Sequence, residues 1–169
     1  MFQADELLLA LREAQVRFVV IGGIAVGVHG YVRATKDLDI VPDPEPENLA
    51  RLSSLLRELD AEHVGVGDFA AEEFPYDPTD PEQLAQGANF RLETRLGPLD
   101  IMQWVAGIDE DPAYPALARE AITVDFRGGP LLVCGLEHLL AMKQAAGREQ
   151  DLQDLSELGE GQPPATTST

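Results

Sequence analysis

The segment FVVIGGIAVGVHGYVRATKDLDIVP, residues 18–42, constrains the fold of this chain more than any other. An apolar run ends in Gly22-Gly23. Thirteen residues on (24–36), a second run opens with Asp37-Leu38-Asp39 and closes at Pro42. Short apolar runs bounded by glycine or proline read as buried strands. The two glycines permit main-chain conformations and close approaches that a side chain forbids. A helix starting near Ile24 would leave its first N–H groups unpaired and aimed at the same spot, which favours an anion. Along the second strand Asp37 and Asp39 face one side, Leu38 and Ile40 the other. The expectation is a strand, a glycine turn, a short helix and a second strand whose two carboxylates lie beside an anion-binding turn.

The rest of the chain alternates in the same way. Leucines at 7, 8 and 11 predict a helix over 5–15, and apolar residues at 49, 52, 55, 56 and 59 predict one over 47–60. Residues 17–23 and 37–42 are the two strands. NFRLETRL and PLDIMQW are two more, with a hairpin expected at Gly97-Pro98. ITVDF and PLLVCG flank an Arg127-Gly128-Gly129 turn. Residues 113–121 are helical, and 136–147 with 148–158 form two helices or one broken near Gly147. The acidic, proline-bearing stretch 70–87 reads as a long loop with at most a helical turn. The fold class is therefore α/β in the α+β sense, a small mixed or mostly antiparallel sheet with flanking helices. One domain spans 1–158, and GEGQPPATTST from Gly159 reads as a disordered tail.

A third carboxylate stands out. Asp100 sits between Leu99 and Ile101 in an apolar strand, and a charge in that setting is costly unless paired or bound to a cation. Carboxylates converging on Mg²⁺ beside a phosphate-binding turn make a nucleoside-triphosphate site. Composition limits the alternatives. Cys134 is the single cysteine, so neither an intrachain disulfide nor a multi-cysteine zinc site is available, and its apolar neighbours place it in the core. With 12 basic against 30 acidic residues the formal charge is −18, which repels nucleic acid overall and leaves phosphate handling to a local site. No run suits a membrane span, and the N-terminus has no basic, cleavable leader pattern, so the expected location is the cytoplasm. His29, His63 and His138 read as structural or solvent-facing. Phe90 and Trp104 read as core or hairpin residues, and Arg148, Asp151 and Asp154 as i,i+3 and i,i+4 helix pairs.

Taken in order, Ile21-Gly22-Gly23, Asp37-Leu38-Asp39 and Asp100 resemble the nucleotidyltransferase superfamily with the DNA polymerase β-like fold. Gly22, Gly23, Ala25, His29, Gly30, Arg33, Thr35, Asp37 and Asp39 look more particularly like the AbiEii-type nucleotidyltransferases of toxin–antitoxin and phage-abortive systems. Lys143, Arg148 and Asp151 match that group's C-terminal helices. Gly23 stands where many members of the superfamily carry serine.

The resemblance implies roles. Asp37, Asp39 and Asp100 would hold Mg²⁺, two ions in all, with Asp100 helping to activate the acceptor hydroxyl. Gly22 and Gly23 would meet the β- and γ-phosphates of an NTP co-substrate. Lys143 would touch phosphate or transition-state charge. Arg33, Lys36, Arg148 and Asp151 would complete the nucleotide site. The reaction would move a nucleoside monophosphate to a hydroxyl on RNA, a protein or a small molecule, as a toxin with an antitoxin protein partner. The alternatives are a lincosamide- or aminoglycoside-modifying nucleotidyltransferase and a catalytically silent binding subunit of the same fold.

Overall fold

In a computed structural model, which describes residues 4–65, 70 and 73–160, the elements follow the expected alternation. They are α1 (Ala4–Glu13), β1 (Phe18–Ile21), α2 (Gly22–Val28), β2 (Leu38–Pro42), α3 (Pro46–Glu58), β3 (Glu62–His63), α4 (Pro81–Leu84), β4 (Phe90–Thr94), β5 (Gly97–Ile101), α5 (Tyr114–Arg119), β6 (Ile122–Phe126), β7 (Gly129–Val133), α6 (Leu136–Ala146) and α7 (Glu149–Glu160). Seven strands form one mixed sheet in the order β3-β4-β5-β2-β1-β7-β6. The β2–β5 and β1–β7 pairs are parallel and the other four antiparallel.

The central strands are the apolar ones. All four residues of β1 are buried, as a strand with neighbours on both edges and cover on both faces requires. The predicted leucines Leu7, Leu8 and Leu11 of α1 and Leu49, Leu52, Leu55 and Leu56 of α3 are buried in the core. Pro46 opens α3, where its missing N–H costs nothing. α1 packs on α3, α5 on β1, and α2 against β1, β2 and α6. Gly147, at φ +60°, ends α6, so the two C-terminal helices are separate.

The differences are local. The hairpin turns at Arg95-Leu96 rather than Gly97-Pro98: Thr94 pairs with Gly97 across a two-residue loop. There the Thr94 hydroxyl donates to the Gly97 carbonyl at 2.7 Å and accepts the Leu96 N–H at 3.2 Å. The two-residue β3 was not foreseen. The proline-bearing loop contains one helical turn, α4, as expected. α7 runs through Glu160, two residues into the stretch expected as tail, and the rest of that expectation (161–169) lies outside the described residues.

Candidate active site

The register of three strands builds the site. β1 lies antiparallel to β2 with Ile21 opposite Asp39, so the strand end that feeds Gly22 stands beside that carboxylate. β5 lies parallel to β2 on the other edge with Asp100 opposite Asp39. Directly opposite residues project to the same face of a sheet. Asp37 precedes β2 by one residue. One carboxylate oxygen from each of Asp37, Asp39 and Asp100 lies within 4.8 Å of the others.

Close approach makes glycine necessary at 22. Its φ is +67°, and a Cβ there would overlap Asp39 Oδ2 and lie 2.7 Å from Asp39 Cγ. At Gly23 a Cβ would lie 2.7 Å from Thr35 Oγ1. The Thr35 hydroxyl thus fills the space where a side chain at 23 would begin, and it donates to the Asp37 carbonyl at 3.1 Å and to Asp37 Oδ1 at 3.3 Å. Gly22 and Gly23 open α2, which has no side-chain N-cap, and both residues line the cavity at this site.

The electrostatics of the triad are unbalanced. Burial first, and then repulsion from Asp37 and Asp100, push the Asp39 carboxyl up to about 7. Burial also raises Asp100, against the opposing pull of Arg91. Asp100 Oδ1 is buried without a hydrogen-bond partner. An all-oxygen donor set, an orphaned carboxylate oxygen and mutual repulsion together fit a hard divalent cation.

A second charge cluster forms the facing wall. Lys143 Nζ lies 2.8 Å from Asp151 Oδ1 and 3.0 Å from Asp154 Oδ2, with its side chain only 7% exposed. Arg33, from the loop before β2, donates through Nε and a terminal nitrogen to both Asp154 oxygens, each at 2.8 Å. Arg148 Nε donates to Asp151 Oδ2 at 2.7 Å. These hydrogen bonds hold Asp154 down at about 2 and lower Asp151, although burial opposes both shifts. α7 therefore tethers α6 and the β2 entry loop through two buried carboxylates.

All ten residues singled out from the sequence line one cavity of about 640 Å³: Gly22, Gly23, Arg33, Lys36, Asp37, Asp39, Asp100, Lys143, Arg148 and Asp151. That volume is in the range of small-molecule sites. Met102, Val105, Leu139 and Met142 give the same cavity an apolar side. Sequence reading missed Arg91, Thr35 as a fixer of Asp37, and the long-range reach of Asp154 to Arg33. Alternation along β4 exposes Arg91, but nothing local pairs it with Asp100. Trp104, expected in the core or hairpin, is 54% exposed, because the chain has left β5 and its main chain is held by Asn89. Phe90 and Cys134 are buried, and His29 Nε2 lies 2.7 Å from the Cys134 carbonyl oxygen, a structural contact.

Compared as a sequence, the chain matches no family model and no curated protein. Compared as a structure, it is similar to nucleotidyltransferases. The antibiotic-resistance factor ANT(2'')-Ia superposes at TM-score 0.55 with 16% identity, over 92% of this chain and 80% of that one. An antigenic nucleotidyltransferase-like protein from Paracoccidioides brasiliensis gives 0.55 and 18%, over 92% and 75%. A candidate nucleotidyltransferase from Thermotoga maritima gives 0.52 and 18%, over 96% and 97%. The mixed sheet and its flanking helices are thus the nucleotidyltransferase fold.

Proposed function

We propose that this chain is a metal-dependent nucleotidyltransferase that moves a nucleoside monophosphate from an NTP to a hydroxyl and releases pyrophosphate. One observation carries the reading: three carboxylates, from β2, from the residue just before it and from the adjacent β5, converge within 4.8 Å beside a glycine turn with no side-chain N-cap. Asp37, Asp39 and Asp100 hold the Mg²⁺, two ions in this reading. When bound, the metal neutralises the triphosphate and makes an attached hydroxyl more acidic.

This chain's own groups do the rest. The main-chain N–H groups at Gly22 and Gly23 donate to phosphate oxygens, with Lys36 exposed at the rim. Asp100, at the end of β5, orients the acceptor hydroxyl and draws its proton as the new O–P bond forms and the bond to the leaving pyrophosphate breaks. Lys143 and Arg148 set the local potential and favour the anionic form of Asp39. Asp151 keeps both cations in place. Catalysis of this kind is positioning and charge complementarity.

For the acceptor, the motif likeness to AbiEii-type proteins favours a cellular macromolecule, with the chain acting as a toxin held by an antitoxin protein. A second reading, a hydroxyl-bearing drug, is favoured by the formal charge of −18, which attracts cationic small molecules, and by the fold likeness to an antibiotic-resistance factor. Incubation with each labelled NTP and Mg²⁺, in the presence of total RNA, total protein or a drug panel, tests both. Label transferred to none of them by the wild-type chain sinks the enzyme reading. Growth arrest on expression favours the toxin, and drug protection the second reading.

A further inference from the structure

Asp100 already has a cation beside it. Arg91 on β4 stands directly opposite Asp100 on β5, with its Nε 3.5 Å from Asp100 Oδ2. Among the described residues no other ion pair reaches a triad carboxylate within 4.0 Å. Both side chains line the cavity. Their surroundings differ: Asp100 is 13% exposed and Arg91 49%. The carboxylate is fixed, and the guanidinium can withdraw into water at little cost. The other Asp100 oxygen is buried without a partner.

We propose that Arg91 is the resident counter-ion of Asp100 and competes with a divalent cation for it. This rests on the metal site proposed above. Cation binding to the triad and the Arg91–Asp100 pair oppose each other, and by linkage each weakens the other equally. Metal alone must displace or crowd the guanidinium. Metal arriving with a triphosphate brings negative charge that offsets the exposed guanidinium. Arg91 is thus a positioning residue that biases the site toward taking its metal together with nucleotide.

The test is Mn²⁺ titration by calorimetry and by electron paramagnetic resonance, with and without a non-hydrolysable NTP analogue. Arg91→Gln is compared with Arg95→Gln, which removes the same charge at the hairpin turn. Arg91→Gln is expected to tighten Mn²⁺ binding without nucleotide about three- to fivefold at low salt, the size of a half-exposed ion pair's contribution. The gain should shrink when the analogue is present and when salt is raised. Arg95→Gln should leave the affinity alone, and Arg91→Lys should restore most of the wild-type value. In the wild-type chain the Arg91 Nε–H resonance should shift on addition of diamagnetic Mg²⁺. Equal effects of Arg91→Gln and Arg95→Gln on Mn²⁺ affinity, or an unmoved resonance at saturating Mg²⁺, overturn the proposal. Mn²⁺ affinity unchanged by Asp39→Asn overturns the metal site itself. A loss with Asp39→Asn but no gain with Arg91→Gln removes only the role of Arg91.

Discussion

Asp39 and Asp100 are register partners across the parallel β2–β5 pair, so two carboxylates project from neighbouring strands onto one face of the sheet. Their proximity comes from main-chain pairing rather than from a flexible loop. Asp39→Asn is therefore expected to abolish nucleotidyl transfer and to weaken divalent-metal binding at least tenfold, a loss of about 1.4 kcal/mol or more. The fold should survive, because the amide removes a repelled charge and keeps the shape. Circular dichroism and thermal melting check the fold, calorimetry the metal, and transfer of labelled nucleotide the activity. Transfer at the wild-type rate contradicts the assignment.

Gly22→Ala attacks the same site through the main chain. A methyl group would collide with the Asp39 carboxylate, and alanine is strained at φ +67°. The variant should lose metal and nucleotide binding, with a stability loss of about 1–3 kcal/mol. Gly27→Ala is the comparison, since a Cβ there meets nothing within 4 Å. It should bind normally and melt no lower than the wild type.

Gly23→Ser tests a compensation. The Thr35 hydroxyl lies 2.7 Å from where the new Cβ would stand and also supports Asp37. The single substitution should weaken nucleotide binding by driving the main chain at position 23 away from the Thr35 hydroxyl, out of line with the phosphates. Combined with Thr35→Ala it should recover most of the loss, a non-additive result expected only of groups in contact. Equal binding by Gly23→Ser and the double variant removes the compensation.

What the sequence reveals here is what local pattern encodes. A glycine pair after an apolar run and an alternating Asp-Leu-Asp fix the strand–turn–strand unit and two of the three carboxylates. Asp100 is legible because a charge among Leu99, Ile101 and Met102 needs a reason. Arg91 is not legible: an arginine on the exposed face of a strand looks like any solvated residue until register sets it against Asp100. The same holds for Asp154, whose i,i+4 neighbours suggest an ordinary helix pair while its bidentate partner Arg33 is 121 positions away. The Gly97-Pro98 turn fails for the opposite reason. Glycine and proline are turn-prone, but the Thr94 hydroxyl closes the loop two residues earlier.

Asp154 is fully buried and shared between Arg33 and Lys143. Asp154→Asn leaves Arg33 without its carboxylate and Lys143 with Asp151 alone, and breaking a buried pair costs about 3–5 kcal/mol. Asp154→Asn should lower the urea midpoint accordingly and weaken nucleotide binding, since Arg33 anchors the loop that carries Thr35 and Asp37. The double variant Asp154→Asn with Arg33→Met should be less damaged than the sum of the singles. Strict additivity would mean that the two side chains do not act as a unit.

Asp39 and Asp100 make stability depend on pH in a direction opposite to that of most carboxylates. Asp39 titrates at about 7 in the folded chain, against an ordinary value of 3.8. Between those values the folded state keeps a proton that the unfolded state has lost. Stability from this group is fully present below the ordinary value and falls as pH rises toward about 7. Burial raises Asp100 too, which adds in the same direction. Asp154, held at about 2, acts only at the acid end: its contribution stands above the usual carboxylate range and is lost as pH drops toward about 2. Between about pH 5 and about pH 8 the wild-type chain should therefore lose melting temperature relative to Asp39→Asn. Mg²⁺ competes with the Asp39 proton, so it should raise the wild-type melting temperature more at the higher pH and leave Asp39→Asn nearly unmoved. Parallel melting profiles of the two chains across that range, or equal Mg²⁺ stabilisation at both ends, would show that the Asp39 carboxyl neither holds the extra proton nor gives it up to a metal.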